Sequence, residues 1–171
     1  DSWARDIGAL VVTDGAGRRA GVDFAFNAWG EKFTPYDEDA HFAERMCAHL
    51  GLERYDADHL VLEGGSVCVD GVGGVITTEQ CLLNPNRNPD LSREQIESVL
   101  HAHLGTSKVI WLPRGVHLDE TDGHVDNMAR FAAPGVVMLT WTDDESDPQH
   151  ERSAEALTVL EASTDAQGRP L

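Results

Sequence analysis

Residues 66–112 read SVCVDGVGGVITTEQCLLNPNRNPDLSREQIESVLHAHLGTSKVIWL, and their order decides the fold class. Val67 to Val69 is a short apolar run. Ser66 to Asp70, a turn through Gly71 to Gly74, and the β-branched Val75 to Thr78 together predict a hairpin. Ser92 followed by Gln95 is a capping box, the reciprocal signature of a helix start. Ile96, Val99, Leu100, His103 and Leu104 then fall on one helical face, and Gly105 stops it. Lys108 to Leu112 is a closing strand that ends at Pro113. The order is strand, strand, helix, strand, which is mixed α/β. The glycines at 71, 73 and 74 sit inside a hairpin turn and do not open a helix, which argues against a dinucleotide loop.

The same order is legible on both sides. Upstream, Ile7 to Thr13 is an apolar β-branched run, Asp14 to Gly17 a turn, and Val22, Phe24 and Phe26 alternate along a second strand. A helix is expected from about Asp37, with Phe42, Met46 and Leu50 on its apolar face and Gly51 as its stop. A strand from about His59 to Leu62 closes the unit. Downstream, Val125 to Phe131 and Val136 to Trp141 flank Pro134-Gly135. An acidic loop, Asp143 to Asp147, then leads into a helix over Gln149 to Ala162 with Ala154, Leu157 and Leu160 facing inward. Repetition at roughly 55 residues points to stacked or radial modules that bury their faces on one another. The expected modules are residues 1–62, 63–112 and 113–171, the last without its closing strand.

Composition narrows the function. The chain has 171 residues, of which 41% are hydrophobic, with 13 Lys and Arg against 30 Asp and Glu, a net charge of −17. That balance argues against nucleic acid or an anionic membrane as partner and suits a cationic ligand. No apolar run approaches the ~20 residues of a membrane span. Cys47, Cys68 and Cys81 have no zinc-ligand spacing, and free thiols in a reducing, cytoplasmic compartment are the simplest expectation.

Polar clusters stand at comparable places in the three units: Trp3-Ala4-Arg5-Asp6, Glu63-Gly64-Gly65-Ser66 and Gly123-His124-Val125-Asp126-Asn127. If the modules surround an axis, Asp6, Glu63, His124 and Asp126 converge there. Carboxylates bind a flat guanidinium through paired hydrogen bonds, Trp3 offers a cation–π surface, and His124 can move protons near neutral pH. On a strand, residues 124 and 126 share a face. Plainer readings stand beside these. Asp6 is a solvated pair or turn cap, Glu63 a turn residue, Trp3 core, and His124 with Asp126 a metal pair completed by His117 and Asp119. Trp29, Trp111 and Trp141 read as core or module interface, and His101 and His103 as surface and edge-of-core residues.

Several of these stretches resemble one family. They are Trp3-Ala4-Arg5-Asp6-Ile7-Gly8, the run Phe26 to Phe33, Leu62-Glu63-Gly64-Gly65-Ser66, the run Thr77 to Pro89, and Asp122-Gly123-His124-Val125-Asp126-Asn127. Together they look like the agmatine deiminase branch of the bacterial-type peptidylarginine deiminases. Ala9, Glu31 and Gly74 depart from it, standing where proline, glycine and threonine are usual. The resemblance implies a five-bladed α/β propeller, the pentein fold, of which about three ββαβ modules are present. It implies hydrolysis of agmatine to N-carbamoylputrescine and ammonia, with no metal or organic cofactor. Asp6 and Asp126 would grip the guanidinium, Glu63 would help to hold it, Trp3 would line the pocket, and His124 would be the general acid/base. The family's nucleophile is a cysteine near its C-terminus that none of the three cysteines here matches. The expectation is therefore an inactive N-terminal to middle portion of the enzyme, poorly soluble alone, whose whole form is a possible homo-oligomer. A peptidyl-arginine or free-arginine deiminase, and a non-catalytic guanidine-binding module, are the rival expectations.

Overall fold

The computed structural model describes residues 2–171. In chain order the elements are α1 (Ala4–Ile7), β1 (Leu10–Thr13), β2 (Arg19–Ala25), α2 (Ala28–Glu31), α3 (Asp37–Ala40), α4 (Phe42–Leu50) and β3 (Glu53–Val61). A 3-10 turn (Gly64–Ser66) leads into β4 (Cys68–Val69), β5 (Gly74–Thr78), α5 (Glu79–Leu82), α6 (Arg93–Leu104) and β6 (Lys108–Leu112). The chain continues through β7 (Ala129–Ala133), β8 (Val136–Leu139) and α7 (Pro148–Glu161). The class is α/β, as expected. Two compact units form: residues 1–64 with 85–104, and residues 65–84 with 105–171.

The first unit is built on the sheet β1-β2-β3. The hairpin β1-β2 is antiparallel, and β3 joins β2 in parallel, Ala20 opposite Glu53 through Phe24 opposite Ala57. The parallel return demands a crossover, which α3 and α4 supply. Ala43 and Cys47 of α4 are buried with Ala9. The expected helical face through Leu50 is therefore displaced, and Leu50 is 56% exposed. Small side chains take the contact because they let the helix approach the sheet closely. On α6, the His103 ring meets Phe24 of β2 edge-on at 6.0 Å and lies 5.6 Å from His59 of β3. The capping box forms as read. Ser92 N donates to Gln95 Oε1 at 2.7 Å, and Gln95 N donates to Ser92 Oγ at 3.3 Å.

The closing strand β3 starts six residues earlier than its apolar pattern suggested, at Glu53 instead of His59. Its first half is polar because it is exposed, and it is held by charge. Arg54 Nε donates to Asp23 Oδ2 of β2 at 2.6 Å.

The second unit repeats the topology in the sheet β4-β5-β6, an antiparallel hairpin with a parallel third strand. Its core gathers Cys68, Ile76, Ile110 and Leu112 from that sheet, Val125, Met128 and Ala129 from the following segment, and Ala156 and Leu160 from α7. The inward face of α7 is Ser153, Ala156 and Leu160, while Leu157 is 36% exposed and Ala154 half-buried. The helix is thus turned from the expected register. Gln149 and Ser153 account for this, since Gln149 Oε1 accepts from His117 N at 2.8 Å and Ser153 Oγ donates to Thr140 O at 2.7 Å, which ties this face to neighbouring segments of the chain. The pair β7-β8 is an antiparallel hairpin on which Val136 and Met138 are exposed.

Candidate functional site

In the first unit the acids come from two segments that touch. Asp6 lies in α1, whose N-cap residue Trp3 makes no side-chain cap; Asp6 N donates to Trp3 O at 2.9 Å. Glu63 immediately follows β3 and is fully buried. The two segments meet at Gly64. A Cβ built there would lie 2.1 Å from the carbonyl oxygen of Arg5, so only glycine permits this approach. The close passage brings the residue before Asp6 against the residue after Glu63.

Each acid has a dedicated partner. Glu63 Oε1 accepts from Arg87 Nε at 2.7 Å, and both side chains are 0% exposed. Arg87 Nη1 also donates to Asn86 Oδ1 at 2.8 Å. Asp6 Oδ2 accepts from the indole Nε1 of Trp29 at 3.0 Å. Trp29 is clamped by edge-on contacts with Phe26 at 5.1 Å and Phe33 at 5.8 Å.

The backbone that presents Trp29 is unusual. Ala28, Trp29, Gly30 and Glu31 have φ of 54°, 56°, 88° and 61°, so α2 is one turn of left-handed helix. Each L-residue in that conformation costs roughly 1–2 kcal/mol relative to its right-handed counterpart. Such strain persists only where surroundings over-determine it. Here Asn27 does so: its Oδ1 accepts from Gly30 N at 2.9 Å, its carbonyl from Glu31 N at 2.6 Å, and its Nδ2 donates to Asn86 O at 2.8 Å. Asn88 ties the same segment to β3, exchanging hydrogen bonds with the Val61 main chain at 3.0 and 3.1 Å.

In the second unit His124 and Asp126 lie outside any strand. Residues 124–128 form a turn, with Met128 N and Ala129 N both donating to Val125 O, and β7 starts only at Ala129. The shared-face argument from strand geometry therefore does not hold, and Val125 between the two residues is fully buried. His124 is 2% exposed and Asp126 half-buried. The main chain is pinned on both sides. Thr78 Oγ1 donates to Gly123 O at 2.5 Å, and Asp126 N to Gly65 O at 3.2 Å.

Asp119, weighed in the sequence as a metal ligand, is engaged in holding this loop. Its Oδ2 accepts from Gly123 N at 3.1 Å, His124 N at 3.0 Å and the Thr121 hydroxyl. His117 offers its amide to Gln149 Oε1 at 2.8 Å. Trp3 is 63% exposed and does not pack as core. None of the three cysteines is in a disulfide, and all three are buried. Burial first, then the nearby Asp23 charge, raises the Cys47 thiol above its ordinary pKa, the opposite of what a nucleophile needs.

The sequence reading passed over Arg87 and took Trp29 for a core or module-interface residue; Trp29 is indeed core, 7% exposed among Ile7, Phe26 and Ala28, and its bond to Asp6 is what that reading lacked. Only their presence inside matched motifs drew attention to them, since a hydrogen bond spanning 23 residues, or 24, leaves no trace in local pattern.

Residues 1–171 match the Porphyromonas-type peptidyl-arginine deiminase family along their whole length. A protein of Selenomonas ruminantium named "Putative agmatine deiminase" is 58% identical over 99% of this chain and 47% of its own. The chain thus spans about half the length of the curated relatives it matches. The agmatine deiminase of Enterococcus faecalis superposes with a TM-score of 0.95 at 44% identity, covering 99% of this chain and 47% of that one. A substrate-bound C. jejuni agmatine deiminase superposes with a TM-score of 0.87 at 34% identity, covering 96% and 49%. The expected pentein-type α/β fold is the fold these solved chains share with this one.

Proposed function

The chain belongs to the Porphyromonas-type peptidyl-arginine deiminase family, and from that premise we propose that the protein it represents hydrolyses the guanidine group of agmatine. Water replaces one guanidine nitrogen at the central carbon. The C–N bond to that nitrogen breaks, and N-carbamoylputrescine and ammonia leave. Asp6 and Asp126 hold the guanidinium nitrogens, Glu63 supports the same pocket, and the exposed Trp3 indole packs along the substrate. His124 delivers a proton to departing ammonia and then takes one from the attacking water. The covalent step belongs to a cysteine outside residues 1–171, whose thiolate adds to the guanidine carbon and is released by water. No helix among the described residues is long and apolar enough to cross a membrane. Three cysteines outside any disulfide suit a reducing cytoplasm.

One observation carries this reading. The first unit invests a buried ion pair, a strained turn and a glycine-only backbone contact in orienting two carboxylates, Asp6 and Glu63. A binding demand for a small planar cation accounts for all three, and the net charge of −17 favours a cation that carries no carboxylate of its own.

The test is a comparison of agmatine, free arginine and a blocked arginine peptide as substrates of the full-length protein, reading ammonia and ureido product. Agmatine should be the preferred substrate by kcat/KM. Preference for arginine or the peptide would move the protein to the other branch of the family. Binding of agmatine with no product would identify a non-catalytic guanidine-binding module.

A further inference from the structure

We propose that Trp29 is a positioning residue for guanidine binding, and that the left-handed turn Ala28–Glu31 exists to hold it. The inference rests on the reading of Asp6 as a guanidinium ligand and assigns the group that aims it. A carboxylate on a four-residue helix is free to rotate about its side-chain torsions. The Trp29 indole N–H removes that freedom by occupying one oxygen, Oδ2, at 3.0 Å. The other oxygen then has a set direction. An indole N–H donates and never accepts, and it carries no charge, so it orients the carboxylate without neutralising it. An arginine or lysine in its place would compete with the cationic substrate for Asp6.

The rest of the turn reads as support. A right-handed helix would carry the residue-29 side chain away from its present direction, so the left-handed backbone is what points the indole toward α1. Gly30 is needed for a second reason. A Cβ on it would lie 2.4 Å from Asn86 Nδ2 and 2.9 Å from Arg87 Nη1. The turn therefore rests directly on Arg87, which holds Glu63, and on Asn86, which accepts from Arg87. Asp6 and Glu63 are aimed by one continuous scaffold: Trp29, the turn, Asn86 and Arg87.

The experiment is steady-state kinetics of the full-length enzyme with agmatine. Trp29→Phe keeps the aromatic packing and removes the N–H. Since a hydrogen bond to a charged group is worth a factor of about 10 to 100 in binding, KM should rise by that factor. The kcat should stay within about threefold, because the reacting groups are untouched. An unchanged KM in a folded Trp29→Phe enzyme overturns the proposal. Asp6→Asn serves as the separate control. Loss of activity there with a normal Trp29→Phe enzyme means that Asp6 is a ligand which Trp29 does not aim. Full activity of Asp6→Asn means that the reading of Asp6 itself fails. If Trp29→Phe lowers the melting temperature by more than about ten degrees, Asn27→Ala replaces it. That variant frees the turn and changes none of the aromatic side chains. It should show the same rise in KM, and its absence overturns the proposal equally.

Discussion

Arg87 Nε lies 2.7 Å from Glu63 Oε1 with neither side chain exposed, so a charge pair is sealed inside the first unit. A buried pair of this kind stabilises little relative to apolar residues of the same shape, but removing one partner strands the other. Arg87→Met should therefore cost about 3–5 kcal/mol of stability. Arg87→Lys should not restore it, since an ammonium cannot reproduce the planar donor that serves both Glu63 and Asn86. Denaturant unfolding of the two variants checks this.

Glu31 holds φ of 61° at a place where the resembling family commonly has glycine. Replacing an L-residue by glycine there relieves backbone strain of roughly 1 kcal/mol, partly offset by the greater freedom of glycine in the unfolded chain. Glu31→Gly should raise the melting temperature by a few degrees and leave agmatine KM unchanged. A lowered melting temperature would show that the Glu31 side chain contributes more than its backbone costs.

At Gly64 the expected effect is on function more than on folding. An alanine Cβ would fall 2.1 Å from Arg5 O, which forces α1 away from the 3-10 turn. Displacement of Asp6 by about 1 Å is enough to cost on the order of 100-fold in rate. Gly64→Ala should lower kcat/KM for agmatine by about that factor, while far-UV circular dichroism remains that of the parent.

Asp119 receives two main-chain amides of the His124 loop on one carboxylate oxygen. Asp119→Ala should loosen that loop, reduce kcat by about 10-fold or more, and leave the metal content of the purified enzyme the same as the parent's. A variant that loses activity together with a stoichiometric metal would show instead that Asp119 is a ligand.

Asp165 gives a pH dependence. Burial alone would raise its pKa. The amide of Arg169, its guanidinium at 2.6 Å and the amide of Gln167 outweigh burial and hold it below the ordinary carboxylate value. A folded pKa lower than the unfolded one means that the unfolded chain binds more protons as pH falls, so the stabilisation present at neutral pH is lost on acidification through the folded pKa. Asp165→Asn should be less stable than the parent at pH 7, and the gap should narrow below about pH 4. A gap independent of pH would remove the ionised carboxylate from the account.

The α/β class, the hairpin turns and the bounds of α4, α6 and α7 were legible because they depend on neighbours in sequence, whereas the run Ile7 to Thr13, expected as one strand, is split between the end of α1 and β1, which starts at Leu10. The capping box at Ser92 and Gln95 and the stops at Gly51 and Gly105 lie within one helical turn of the residues they govern. The acids Asp6, Glu63 and Asp126 and the imidazole of His124 could be picked out because polar residues interrupt otherwise apolar runs. Even so, the strand that was to carry His124 and Asp126 turned out to be a loop. The Asp119 carboxylate that folds it stands only four and five residues before the amides it receives, a local turn pattern that the strand reading passed over.

Local pattern also could not tell that a tryptophan in an aromatic cluster would spend its N–H on Asp6, that Arg87 would cross to Glu63, or that Ala28 to Glu31 would wind left-handed. Chain-distant hydrogen bonds and strained backbone are fixed by what packs around them. Their energies come from contacts that exist only once the first unit has closed, so composition and periodicity could name the chemical groups but not the partners that orient them.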